Sequence, residues 1–356
     1  MASQELGGSE VWRCQARKSP DELVMLYDML YGLAVDEGCE PVLFGDCAPL
    51  AHEALVRSLI GDGFSFVWFE IPLLGDARFD LHVAYSRECL ESGPFFPGAG
   101  NGYDELFQWY AQDETGGRGL AFAYDVSEGT IDRPAVHVNV SQAPLDNVDR
   151  FFELTGCHNA AARYRAFVGR LPKEWSVWYM GVHPGRPGAP VRVDCTVEPQ
   201  RRSAYATDLW LLEQDLRACG FTASLDALPD LASALLASPF MLELQFDVLQ
   251  DGAVGPTLGL SAALGIRSAT RMRPLFNEGA PIACLMNRVE RLGLADSRWQ
   301  SVRDAMYSLV LADSGIGSLR AAYCLPTFVK LRMRDGRALD AKFYLQAGCA
   351  YNGEQE

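Results

Sequence analysis

The stretch TFVKLRMRDGRALDAKFYLQA, residues 327–347, carries two runs of alternation on either side of Asp335-Gly336. Val329, Leu331 and Met333 alternate with Lys330, Arg332 and Arg334. After the turn, Ala341, Phe343 and Leu345 alternate with Lys342, Tyr344 and Gln346. Successive strand side chains point to opposite faces, so each run has one apolar and one polar side. Asp-Gly between two such runs predicts a two-residue hairpin turn. The segment reads as an antiparallel hairpin with an oily face and a cationic face.

Four similar pairs precede it: FSFVWFEIPLL with RFDLHVAYS, GLAFAYDV with PAVHVNVS, SVWYMGVHPG with PVRVDCTVE, and FMLELQFDVLQ with PTLGLSAAL. The five pairs begin near Phe64, Gly119, Ser176, Phe240 and Thr327. They recur at intervals of about 55 to 90 residues, as a drifting structural repeat does. Helical pattern fills the intervals, at 146–154, 159–171, 205–219, 228–237, 282–292 and 297–312, with a short aromatic helix around LFQWY at 106–110. Two more helices precede the first pair, at 19–35 and 49–60. Ser19-Pro20-Asp21-Glu22 opens the former with a cap, a first-turn proline and two acids near the positive helix end. The predicted fold class is α+β: a ten-stranded antiparallel barrel of five hairpins surrounded by helices. Two open antiparallel sheets remain the competing arrangement on pattern alone. A single domain is expected over 1–356, with the barrel core at 48–347, a helical extension at 1–47 and a frayed tail at 348–356.

The net charge of -15 over 356 residues opposes nucleic acid as a partner, because phosphate binding needs a basic surface. It equally opposes docking on an anionic membrane. No window reaches the ~18–20 uninterrupted apolar residues of a membrane helix, and the first residues lack an apolar secretory core. The 10 cysteines are scattered without CxxC or zinc-ligand spacing. Reduced thiols and a cytoplasmic location are expected.

The polar strand faces hold the candidate site. They offer Asp80, His82 and Glu70 from the first hairpin, His137 and Asn139 from the second, and Arg192 and Asp194 from the third. Glu243 and Gln245 come from the fourth, and Lys330, Arg332, Lys342, Tyr344 and Gln346 from the fifth. A sheet face turned to solvent would be polar too. The concentration of cations on the fifth hairpin, with carboxylates on the first and fourth, instead suits a chamber that holds an anionic leaving group against a polarised acceptor. Other motifs fail: His52-Glu53 has Val56 where HExxH needs histidine, Gly98–Gly102 follows no strand, and there is no P-loop or GxSxG.

The αββα repeat with ten strands in five hairpins resembles the ABBA-type aromatic and peptide prenyltransferases, or PT-barrels. Lys342-x-Tyr344-x-Gln346 and Lys330-x-Arg332 are similar to the alternating diphosphate contacts of that family, and Arg192 takes the place of a basic residue on its third hairpin. The resemblance implies a magnesium-independent transferase without a metal cofactor, in a natural-product pathway. It would move an isoprenyl group from an isoprenyl diphosphate to an aromatic small molecule or a peptide side chain. Arg192, Lys330, Arg332, Lys342, Tyr344 and Gln346 would bind the diphosphate, and Glu70 would remove the acceptor proton. Trp68, Phe122, Tyr179 or Tyr344 would shield an allyl cation. The alternatives are a barrel that has lost catalysis, and a repeat-built protein binding a peptide or partner through surfaces such as LFQWY.

Overall fold

The structure, a computed structural model, describes residues 66–85, 103–112, 119–126, 130–140, 145–186, 188–266, 268–310 and 319–351. The expected helices at 19–35 and 49–60 and the glycine loop at 98–102 lie outside the described residues.

The strands are β1 (Phe66–Pro72), β2 (Asp80–Tyr85), β3 (Leu120–Asp125), β4 (Thr130–Asn139), β5 (Trp175–Val182), β6 (Val191–Val197), β7 (Met241–Val248), β8 (Val254–Ala263), β9 (Tyr307–Val310), β10 (Leu319–Arg334) and β11 (Arg337–Tyr351). Helix α1 (Asp104–Gln112) separates the first two hairpins. Between β4 and β5 lie α2 (Leu145–Leu154) and α3 (Ala160–Val168). Between β6 and β7 lie α4 (Pro199–Thr207), α5 (Trp210–Ala218) and α6 (Leu228–Leu236). After β8 come α7 (Ala269–Met272), a 3₁₀ turn (Arg273–Phe276), α8 (Pro281–Arg291) and α9 (Trp299–Asp304).

Sequential strands from β1 to β8 pair antiparallel, β8 pairs β10, and β11 pairs both β10 and β1. That last contact closes the sheet: ten strands in five hairpins form a barrel, as the alternation predicts. Closure removes the open edges that would otherwise invite pairing with other chains. Strand β9 stands outside the ring, paired among the described residues to Ala321–Cys324 of β10. The turn between β10 and β11 has Asp335 at φ 50° and Gly336 at φ 78°, the left-handed geometry that a two-residue hairpin requires.

The barrel is oily outside and polar inside. Phe69 and Ile71, Leu81 and Val83, Val191 and Val193, Leu244 and Phe246, Val329 and Leu331, and Phe343 and Leu345 are all buried beneath the helices. Each helix contributes an apolar stripe, as Ile282, Leu285, Met286 and Val289 do on α8. Burying these two layers against each other stabilises the shell by roughly 25 cal/mol per Å² of apolar surface. The lumen is thereby freed from a packing role.

Several boundaries differ from the sequence expectation. The helix expected at 205–219 is two helices, because Asp208 is extended (φ -141°, ψ 96°) and its carboxylate accepts from the Trp210 backbone N–H. The helix expected at 297–312 ends at Asp304, and Tyr307–Val310 pairs as β9; tertiary pairing with β10 overrides the local helical pattern. The expected tail begins too early, since β11 continues to Tyr351. Phe122 packs outward against Tyr103 and Phe107 and cannot shield a lumen cation. Leu106, Phe107 and Tyr110 are buried on α1, so LFQWY presents only Gln108 and part of Trp109 at the surface.

Candidate active site

The inward residues of β1 and β11 build one polar cluster. Glu70 sits opposite Tyr344 across the β1–β11 ladder and opposite Asp80 across the β1–β2 ladder. Its Oε1 accepts from the Lys342 ammonium. Its Oε2 accepts from the Tyr344 hydroxyl at 2.6 Å and lies 3.2 Å from His82 Nε2. Burial pushes the Glu70 carboxyl up, but Lys342, the His82 contact and Lys330 overcome it and hold the group well below the usual carboxylate range.

A second cluster spans β6, β7 and β10. The Lys330 ammonium donates to Gln245 Oε1 at 2.6 Å, and the Gln245 amide donates to Asp194 Oδ1 at 2.7 Å. Lys330 also lies 5.8 Å from the Tyr344 ring centre, a cation–π contact joining the two clusters. Burial drives Lys330 down to about 8, against the pull of Asp194. Glu243 is driven up to about 8 by burial first and Asp194 second, opposed by Lys330. It therefore holds its proton at neutral pH, and its Oε1 has no hydrogen-bond partner among the described residues.

Between the clusters lies a cavity of about 140 Å³. His82, His137, Glu243, Gln245, Lys330 and Tyr344 line it, together with Asp194 and Ser261. Its aromatic walls are Trp68, Trp178, Tyr179 and Phe328. Glycines at 259 and 181 leave room for the side chains that line it. A Cβ at Gly259 would approach Lys330 Cε to 3.0 Å and Gln245 Cβ to 3.1 Å, and one at Gly181 would strike the His137 ring.

Not every expected residue reaches this cavity. Arg192 turns to Asp247, with Nε donating to Oδ1 at 3.3 Å. Arg332 pairs in two-pronged fashion with Asp340, its Nε donating at 2.7 Å. The Gln346 amide donates to the Tyr323 hydroxyl at 3.1 Å. Lys342 and Glu70 lie behind Tyr344 and His82 rather than on the cavity wall. Asn139 bonds to Tyr179, whose hydroxyl burial raises to about 12, while Asp80 is half-buried beside Glu70.

Trp178 and Phe328 were missed by sequence reasoning. A β-bulge between Val177 and Tyr179 brings Trp178 and Tyr179 to the cavity together, which strict alternation forbids. Phe328 shares the face of Lys330 and was open to the same period-2 count that found its neighbours. Among the described residues, no group of three or more His, Cys, Asp or Glu is placed to hold a metal ion. No described helix is long and apolar enough to cross a membrane.

No protein-family model and no curated protein matches the chain. Among solved structures, it is similar to AnaPT from Neosartorya fischeri, at 12% identity and a TM-score of 0.49, over 93% of this chain and 95% of that one. It is similar to a 6-dimethylallyl tryptophan synthase at 11% identity and a TM-score of 0.49, over 92% and 96% of the two chains. A third is the prenyltransferase PriB in ternary complex with L-tryptophan and dimethylallyl thiolodiphosphate, at 12% identity and a TM-score of 0.42, over 93% and 99%. The likeness is one of fold.

Proposed function

We propose that this lumen transfers an isoprenyl group from an isoprenyl diphosphate to an aromatic small molecule or peptide side chain, in the cytoplasm. The observation that carries the proposal is the Lys330–Tyr344 contact at the wall of an aromatic cavity, with Arg332 on the same strand as Lys330, Lys342 on β11 and Arg192 on β6. Heterolysis of an allylic diphosphate creates a pyrophosphate anion and an allyl cation. Buried cations stabilise the first, and the π faces of Trp68, Trp178, Tyr179, Phe328 and Tyr344 stabilise the second while excluding water that would quench it. Lys330, Arg192, Arg332, Lys342, Tyr344 and Gln346 are assigned to the diphosphate, and the Glu70 cluster to the proton the acceptor loses. Because Asp247, Asp340 and Glu70 already neutralise Arg192, Arg332 and Lys342, the donor must compete with these carboxylates for its cations.

That same neutralisation favours the competing reading, a barrel that binds a small molecule without catalysis. Incubation with labelled dimethylallyl and geranyl diphosphates over a panel of indoles, phenols and aromatic peptides separates the two. Release of pyrophosphate with labelled product, lost in Lys330→Ala, supports transfer. Failure of the intact protein to bind any isoprenyl diphosphate removes it.

A further inference from the structure

Two groups of the Glu70 cluster face the cavity, His82 and Tyr344, and Glu70 is not among the residues lining it. Both Glu70 oxygens are committed: Oε1 to Lys342, Oε2 to the Tyr344 hydroxyl and to His82 Nε2. An ionised carboxylate can only accept, so His82 Nε2 carries the hydrogen, and the ring's lone pair is left on Nδ1. The ring is fixed edge-on between Trp68 (centroids 6.5 Å, 86°) and Tyr344 (5.9 Å, 81°). This is a carboxylate holding an imidazole in one tautomer, with the imidazole turned to the chamber.

We infer that His82 is the group that takes the acceptor's proton, and that Glu70 is the positioning residue that orients it. The chemistry rests on the prenyl-transfer reading; the dyad itself does not. The allylic C–O bond breaks with both electrons leaving on pyrophosphate, and the acceptor atom bonds the allyl carbon. The acceptor's C–H, N–H or O–H bond then breaks, its electrons remain with the acceptor, and the proton goes to His82 Nδ1. The imidazolium faces Glu70 from β1, Tyr344 and, through Glu70, Lys342 from β11, and His137 from β4. His137, whose ring centre lies 5.9 Å away, is held well below its ordinary range by burial, then by His82, Arg192, His183 and Lys330. His183 beyond β5 is lowered to about 4 by burial and Arg192. Neither neighbour is cationic at neutral pH, so neither opposes charging of His82. Glu70, held well down by Lys342, His82 and Lys330, does not line the cavity, whereas His82 does.

Two measurements test this in the full-length protein. The first is imidazole NMR of the ¹⁵N-histidine-labelled wild type and Glu70→Gln. The proposal expects the Nε2–H tautomer for neutral His82 in the wild type, and a mixture of tautomers when an amide, which can donate as well as accept, replaces the carboxylate. The Nδ1–H tautomer in the wild type, or a tautomer balance indifferent to Glu70→Gln, overturns it. The second is turnover with dimethylallyl diphosphate and an acceptor identified from the panel. His82→Gln should lower kcat by about 10²–10⁴-fold, with the donor KM little changed. Glu70→Gln should lower kcat while leaving the donor KM little changed, in step with the loss of the single His82 tautomer. A His82→Gln enzyme that turns over at the wild-type rate overturns the assignment. If the wild type transfers no isoprenyl group, the prenyl-transfer reading fails, and the dyad stands or falls on the NMR result.

Discussion

Gly181 and His137 are cross-strand partners, and the His137 imidazole occupies the space that a side chain on Gly181 would need: a Cβ there would lie 2.5 Å from Nδ1. Gly181→Ala must therefore push the ring, against its packing, toward the cavity. Overpacking of this kind costs about 1–3 kcal/mol. We expect a lower denaturation midpoint and a cavity that no longer accepts its ligand, measured by chemical denaturation and by calorimetric titration of a donor analogue.

Asp340 competes with any anionic ligand for Arg332. Asp340→Asn removes a negative charge while leaving a hydrogen-bond acceptor. Both side chains are less than a third exposed, so weakening the pair should cost about 1–3 kcal/mol. Affinity for dimethylallyl thiolodiphosphate should rise by up to about tenfold, as loss of a nearby like charge dictates at an effective dielectric constant near 20. An unchanged or weaker affinity would show that Arg332 does not meet the donor.

Glu243 makes stability depend on pH. Its folded value of about 8 lies above the ordinary 4.5, so the unfolded chain ionises first as pH rises. The stability present below about pH 4.5 is lost progressively up to about pH 8. Glu243→Gln abolishes that loss. Relative to wild type it should gain on the order of 3 kcal/mol at pH 8 and little at pH 5, read from urea denaturation at both values.

Outside the barrel, Trp175 Nε1 donates to the Tyr205 hydroxyl at 2.9 Å, that hydroxyl donates to Asp215, and Arg201 clasps the same carboxylate at 2.8 and 2.7 Å. This buried network ties α4 and α5 to β5. Tyr205→Phe strands the indole N–H and should cost about 1–3 kcal/mol, while donor affinity stays at the wild-type value.

The five hairpins could be read from the sequence because apolar and polar residues alternate so cleanly on strands such as 329–333 and 341–346, whereas pattern alone leaves two open sheets standing and the β1–β11 pairing decides for closure. The polar lumen followed from the same period: Glu70, His82, His137, Glu243, Gln245, Lys330 and Tyr344 all point inward. Their partners could not be read. That Arg332 meets Asp340 and Arg192 meets Asp247 depends on register, which local pattern leaves open. Trp178 was hidden by a bulge, and β9 by a helix-like pattern that pairing with β10 overrides. Glu70's place behind His82 depends on side-chain geometry that spacing does not encode.

The central claim is that the cations of the lumen receive an isoprenyl diphosphate. Calorimetric titration of dimethylallyl thiolodiphosphate into the wild type and Lys330→Ala tests it most directly. Saturable one-to-one binding, weakened at least about tenfold by the substitution, a loss of ≈ 1.4 kcal/mol, is the predicted result. No binding to the wild type, or equal binding to both proteins, would contradict it.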